Sequence, residues 1–488
     1  MYHIFMSSNL NDINKNTIDR GGRLSVGAKL GYASAGIGDS VCYSVVGTFL
    51  LFFLTTVAGL QPAVAGTIVI ISAVFDGLWN PVMGYISDHH VSGRGRRRPY
   101  MLGFVLPLMI SITLLFTATE MTYTVKVFYY GFMTIAFWFS FTGFFVPFYA
   151  LGAEYSDDYD ERTSIRSFAT FFNMLGTLFS MAAPMALVDW LSNHGMTTEH
   201  AWTLVVAILA VISGVSIIIT VIASKDVDVN SYGQNPEIAA ESADSADADQ
   251  SPGIMGIFKD FIEVFKLKPT KYIVAICMCS LIAYAIFLSD FMYFLTYNLG
   301  FDGNESSMAL LVRCIYGILL IPAAAALSHK TDNRTAMIIV FLLSSVLVVV
   351  ERFVDVNGLI SIGWFILIMT IATTVYWQLV PAIVYEVCVY DEYMTGKRRE
   401  GVIVSLQGMV EGISAGIGAQ LLGIILQIVG FDGEAATQSP FVQEWIFNCT
   451  TWVPVVFLLV AAFALYKYPI SRESFNEMNS ALKERKGE

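Results

Sequence analysis

Charge is what this sequence has least of. Only 14% of its 488 residues are Asp, Glu, Lys or Arg, where a soluble chain carries about a quarter. Its six cysteines (Cys42, Cys277, Cys279, Cys314, Cys388, Cys449) form no CxxC pair and fall mostly inside apolar segments, which points to buried free thiols rather than a redox or zinc centre. His89-His90 has no further ligand at metal spacing, and no HExxH or nucleophile–base pair stands at depth, so an intramembrane enzyme is not expected. The first 28 residues lack the short apolar stretch of a secretory signal. Insertion should therefore begin with the first long apolar run.

What is abundant is apolar surface. The chain is 55% hydrophobic, with 35 Phe and 23 Tyr, and a mean hydropathy of +0.62. It is a polytopic membrane protein, all α-helical. Runs of roughly 20 residues suffice to span a bilayer, and twelve are legible: approximately 30–58, 61–88, 100–119, 125–153, 165–189, 201–223, 271–298, 307–328, 335–352, 358–387, 402–428 and 446–468, spans 1 to 12. Basic residues collect on the cytoplasmic side of such proteins. With both termini cytoplasmic, all 28 Lys and Arg lie inside except Lys126, Arg313 and Arg352.

The net charge of −12 is mostly local: residues 226–250 hold acids such as Asp226, Glu241 and Asp249 and no Lys or Arg. This stretch has the composition of a solvated tether. The expected organisation is a cytoplasmic segment 1–28, a six-helix bundle 29–224, an acidic cytoplasmic linker 225–268, a second six-helix bundle 269–468 and a tail 469–488. The halves echo each other. Val146-Pro147 is followed by Asp157-Asp158 as Val380-Pro381 is by Asp391-Glu392, and Pro81 precedes Ser87-Asp88 as Pro322 precedes Ser328-His329. Duplicated six-helix halves describe a major-facilitator transporter. A monomer in the bilayer is expected, with a small-molecule substrate and no nucleic acid partner.

Polar residues at depth are the functional candidates, because an ionised side chain at mid-bilayer costs roughly 2.5–3.5 kcal/mol on insertion scales. Asp76 and Asn80 share one face of span 2. A carboxylate with an amide oxygen on that face suits a cation, Na⁺ or H⁺. Asp39 in span 1 is a further acid at depth that can accept charge-assisted hydrogen bonds, and Phe145, Tyr149, Tyr376 and Trp377 in spans 4 and 10 can present ring faces to a bound solute. Glu411 in span 11 is a second protonation site or a substrate ligand. Asp290 in span 7 and Arg313 in span 8 lie at similar depth and are expected to pair or to meet at an outer gate. Arg96, Arg97 and Arg98 face the acids Asp88, Asp157, Asp158, Asp160, Glu161 and Asp391-Glu392 in an inner gating network.

Several of these residues stand in a recognisable pattern. Gly84-Tyr85-Ile86-Ser87-Asp88 with Gly95-Arg96-Arg97-Arg98 resembles the general major-facilitator motif between spans 2 and 3. Gly38-Asp39, Phe75-Asp76, Asn80-Pro81-Val82-Met83-Gly84 and the run from Asp391-Glu392 to Glu400-Gly401 resemble the glycoside–pentoside–hexuronide:cation symporters, the melibiose-permease-like family. The resemblance implies cation-coupled sugar transport by alternating access, with H⁺ or Na⁺ as coupling ion and no cofactor. It implies that Asp39 holds sugar hydroxyls, Asp76 forms half of a cation site supported by Thr142, and Trp377 lines the sugar pocket. Asn80 stands where the family has a second cation-site acid, and Phe145 where it has a span 4 acid, with Tyr149 for an aromatic one turn on. Glu411 takes the place of a lysine, and the span 5 arginine has no counterpart, Ala169 or Thr170 occupying its place. These departures leave open a non-sugar organic solute or an amphiphile, carried with or without coupling.

Overall fold

The computed structural model describes residues 24–89, 95–118, 120–155, 159–225, 254–353, 359–396 and 399–486. Among them there is no β-strand. Twelve helices are long and apolar enough to cross a membrane: Val26–Val57, Pro62–Ser87, Arg98–Leu115, Tyr123–Gly152, Ser164–Asn193, Thr198–Ala223, Lys268–Asn298, Gly303–Ser328, Asn333–Glu351, Ser361–Thr395, Gly401–Val429 and Pro440–Lys467. They are spans 1 to 12 in order. Helices are what lipid demands, since every backbone N–H and C=O in the hydrocarbon must be paired within the segment.

Their ends carry local signals. Ser25 Oγ accepts from the Ala28 N–H at 3.2 Å to start span 1. Asp302 and Glu305 form a reciprocal capping box that starts span 8, at 2.8 and 3.2 Å. Asp332 caps span 9 through the Thr335 N–H at 2.7 Å. Gly430, at φ 84°, closes span 11 in the left-handed conformation that glycine adopts without a Cβ clash. Among the described residues two helices lie outside the spans. Ile254–Lys266 occupies the end of the segment expected to be linker and buries Phe261 and Val264 beneath it, and Arg472–Lys486 lies in the tail.

Spans 1 and 7 end alike. Each finishes in a π-helical turn, Phe53–Val57 and Phe294–Asn298. In the first, Ala58 N donates to Phe53 O at 2.9 Å and Leu60 N to Leu54 O at 2.8 Å; in the second, Leu299 N donates to Phe294 O at 3.1 Å and Phe301 N to Leu295 O at 3.0 Å. The displacement that carries Phe53 to Phe294 also carries Pro81 to Pro322, both inside helices, and Asp39 to Ser280.

The chain divides into two compact units. The first comprises Met1–Gly47, Trp79–Glu120 and Phe128–Ser251, and the second Thr48–Leu78, Met121–Val127 and Pro252–Glu488. In the first unit span 3 packs on span 6, and span 6 on span 5. Trp202, 1% exposed, stacks on Phe116 with ring centroids 5.9 Å apart. Spans 1 and 5 approach closely: a Cβ on Gly36 would meet the Ala169 carbonyl at 2.9 Å, and one on Gly176 the Ile37 carbonyl at 2.9 Å.

In the second unit span 7 is central, packed against spans 11 and 12. Gly418 admits Ala285 and the Ile282 carbonyl. The end of span 1 and the first turns of span 2 belong to this unit and lie on spans 7 and 11. Tyr293 Oη is 2.6 Å from Thr55 Oγ1 and donates to Leu51 O at 3.1 Å. Gly416 accommodates Ala73 and Ile70, and Gly423 and Gly433 leave no room for a Cβ beside the Pro62 and Thr55 carbonyls.

Candidate functional site

In the first unit, the close approach of spans 1 and 5 brings Asp39 beside Asn173. Asp39 is buried, 6% exposed, with the Asn173 amide within hydrogen-bonding reach and the charge of Arg166 nearby. Arg166 lies on span 5 with its Cζ 4.6 Å from the centroid of the Tyr149 ring. The Tyr149 hydroxyl is within reach of both Arg166 and Asn173, and Tyr32, whose hydroxyl donates to Phe148 O at 3.3 Å, also meets Arg166. Asn173 Oδ1 is buried without a hydrogen-bond partner among the described residues.

The result is an acceptor, a cation and an amide around one spot, walled by rings. Phe145 and Tyr149 have centroids 4.4 Å apart, and Phe141 stacks on Phe145 at 5.5 Å and 17°. Carboxylate and guanidinium supply the charge-assisted hydrogen bonds that hold vicinal hydroxyls, and the rings supply apolar faces. Arg166 is the residue that reading the sequence missed. It stands one helical turn before Thr170, so a count carried across the loop after span 4 passed over it.

Asn80 and Thr142 come together in the same unit, with Asn80 Nδ2 3.5 Å from Thr142 Oγ1; Thr142 is 1% exposed. Asp76 is half-buried on span 2, one turn from Asn80. The division between the units runs through this helix, between Leu78 and Trp79, so Asp76 groups with the second unit.

In the second unit, Glu411 accepts from Tyr376 Oη at 3.0 Å and from Gln407 Nε2 at 2.9 Å, both on Oε1. The carboxyl thus has two neutral donors. Trp377 stands at 90° to Tyr376, centroids 5.3 Å apart, and is 46% exposed. Both rings line a cleft with Ser280, Tyr284, Met369 and Thr373. Ser280 occupies the position in span 7 that Asp39 occupies in span 1, so the second half presents a hydroxyl where the first presents an acid.

The expected pairing of Asp290 with Arg313 is corrected. Asp290 is wholly buried, and neither carboxyl oxygen has a hydrogen-bond partner among the described residues. Arg313 instead donates to Tyr284 Oη at 3.1 Å, with its Cζ 5.6 Å from that ring. Equal depth did not bring equal direction around the helix axis.

Of the expected gating network, Arg97 donates to Ser87 Oγ at 2.9 Å and Arg98 to Val221 O at 2.6 Å, while Arg96 is half-buried beside them. Lys29 pairs with Glu161 at 2.8 Å. The side chains of Asp88 and Asp160, and residues Asp157 and Asp158, lie outside the described residues. In the second unit Ser328, the counterpart of Ser87, donates to Asn333, which donates on to Glu386 at 3.2 Å. Arg399 grips the fully buried Asp391 through Nε and Nη2, at 3.0 and 2.7 Å, and reaches Glu263 of the helix Ile254–Lys266 at 2.8 Å. These partners raise the Arg399 guanidinium above its ordinary value, chiefly through the Asp391 bonds. The described residues hold no group of three or more His, Cys, Asp or Glu able to bind a metal.

Comparison with known proteins bears on the family and the fold. The family described as MFS/sugar transport protein matches residues 31–472. Among curated relatives, the uncharacterized symporter YnaJ of Bacillus subtilis is 25% identical over 95% of this chain and 96% of its own. The isoprimeverose transporter of Lactiplantibacillus pentosus is 22% identical over 91% and 88%. Among solved structures, a bacterial homologue of the human lysosomal transporter Spinster superposes with a TM-score of 0.66 at 14% identity, over 92% of this chain and 97% of that one.

Proposed function

This chain belongs to the MFS/sugar transport family, and from that premise we propose that it carries a sugar or glycoside across the cytoplasmic membrane together with H⁺ or Na⁺. It is a multi-pass transporter of the major-facilitator fold, cation-coupled and not an enzyme. The substrate reading rests on one observation: Asp39, Arg166 and Asn173 converge beside the rings of Tyr149 and Phe145. An acceptor and a forked donor near each other suit the adjacent hydroxyls of a sugar, and the stacked rings suit its apolar face.

In this reading Asp39 and Arg166 orient the hydroxyls, while Trp377, in the cleft of the second unit, and Glu411, bonded to Tyr376 of that cleft, are substrate contacts of their own. Asp76, Asn80 and Thr142 hold the coupling ion. With one carboxylate where the family pattern has two, the set suits a proton better than Na⁺. Arg96, Arg97, Arg98 and Asp88 close the inner side, where both termini lie, and the bundles 29–224 and 269–468 rock about the substrate.

The experiment is uptake into proteoliposomes of a panel of labelled glycosides, with separate Na⁺ and H⁺ gradients. Accumulation of a glycoside under one gradient, lowered roughly tenfold or more by Asp39→Asn, is the expected result. No glycoside uptake under either gradient overturns the reading.

A further inference from the structure

Asp290 stands one turn before the π-helical end of span 7. None of its surface is exposed, and neither carboxyl oxygen has a hydrogen-bond partner among the described residues. Arg313, the cation expected to pair with it, is turned to Tyr284. Against span 7 pack spans 11, 12 and 10 and the helix Ile254–Lys266. Two titratable groups lie near enough to sense the Asp290 charge, Tyr293 on its own helix and Cys449 from span 12. Glu411 on span 11 is committed to Tyr376 and Gln407, and Glu444 on span 12 pairs with Arg352 at 3.5 Å. No basic group faces Asp290 among these, and a phenol and a thiol are neutral at neutral pH.

A bare carboxylate in such a place costs several kcal/mol more than the neutral acid. The helix end beyond it is held at both sides. Tyr293, one turn on, ties span 7 to the end of span 1 through Thr55 Oγ1 at 2.6 Å and Leu51 O at 3.1 Å, and its ring meets Phe52 at 5.3 Å. The π turn beyond it is clasped by span 12, with Gln443 Nε2 on Tyr297 O and Asn298 Nδ2 on Gln443 O, both at 2.8 Å.

We infer that Asp290 is a proton-binding site, loaded with one proton while the Tyr293–Thr55 contact is closed and open to exchange with water when that contact parts. Only the link to a transport cycle rests on the function proposed above; the bound proton does not. The reading thus adds a second titrating carboxyl, in span 7, to the one in span 2.

The test is infrared difference spectroscopy of the full protein in lipid bilayers at neutral pH, read at the carbonyl stretch of protonated carboxyl groups. A band present in the wild type, absent in Asp290→Asn and shifted in Asp290→Glu is the expected result. On transfer to D₂O the band should exchange slowly, and about fivefold faster in Tyr293→Phe, which removes hydrogen bonds worth about 1 kcal/mol net. A spectrum unchanged by both Asp290 substitutions overturns the bound proton. Equal exchange rates in wild type and Tyr293→Phe overturn the gating. No substrate is needed, so failure of glycoside uptake leaves this result standing on its own.

Discussion

Gly59 and Gly300 occupy equivalent positions after the π turns of spans 1 and 7, with φ of 72° and 65°. Nothing lies within 4 Å of a Cβ built on either, so the requirement is conformational and not one of space. A side chain there must enter the left-handed region at a cost of about 1 kcal/mol. Gly59→Ala and Gly300→Ala should each lower the thermal midpoint, by the shift that this destabilisation produces, and the double variant should show the sum of the two shifts. Thermal unfolding in detergent measures it.

Arg399 and Asp391 form the tightest buried ion pair of the second unit, with Arg399 bridging onward to Glu263. Removing one partner leaves a charge buried and unpaired, which costs about 3–5 kcal/mol. Arg399→Ala should therefore destabilise more than Glu263→Ala, whose carboxylate is 39% exposed and contributes less than about 1 kcal/mol. Arg399→Lys should not restore stability, because an ammonium cannot reproduce the two-pronged contact. Equal melting of Arg399→Ala and wild type would contradict this.

The twelve spans were legible because lipid imposes one rule on every crossing segment, and apolar length is visible in sequence. The repeat was legible at Pro81 and Pro322 and at Pro147 and Pro381. Its clearest copy, Phe53-Leu54-Thr55 and Phe294-Leu295-Thr296 each with a glycine four residues on, is not legible as structure, because π turns are backbone features with little compositional signal. Arg166 was missed because register is lost across a loop. Asp290 and Arg313 were matched on depth alone, and depth does not fix which way a side chain points around a helix. Asp39 and Trp377 were found by their resemblance to a family pattern; their neighbours Asn173 and Tyr376 follow from packing that no local pattern encodes.

Gly423 is where span 11 crosses the first turn of span 2. A Cβ there would run into the Pro62 carbonyl, and the Ala63 N–H donates to Gln427 Oε1 at 3.0 Å just beyond. Gly423→Ala should push the two backbones apart at a cost of about 1–3 kcal/mol. Hydrogen exchange should show the protection of the Ala63 amide falling in the variant. Unchanged protection would mean that the crossing absorbs the methyl group.

Glu411 keeps its geometry through neutral donors, so Glu411→Gln preserves shape while removing only the acid. If Glu411 binds substrate, apparent KM rises by roughly tenfold or more, the loss expected for a charge-assisted hydrogen bond of about 1.5–3 kcal/mol. If it titrates during transport, the pH dependence of uptake flattens as well. An unchanged rate with an unchanged pH profile removes Glu411 from the mechanism.

Asp39 and Arg166 should differ in what their loss does. Asp39 is buried at a close helix crossing beside Asn173, so Asp39→Asn keeps the packing and removes the charge that both Arg166 and a sugar hydroxyl would meet. Uptake should fall by roughly 10- to 100-fold, with the thermal midpoint little changed. Arg166 is exposed, and its stacking on Tyr149 contributes about 0.5–1 kcal/mol at such a site. Arg166→Lys keeps the charge yet loses the forked donor, so it should impair uptake nearly as much as Arg166→Gln. Equal activity of Arg166→Lys and wild type would show that only the charge near Asp39 matters, and that the guanidinium does not hold the substrate.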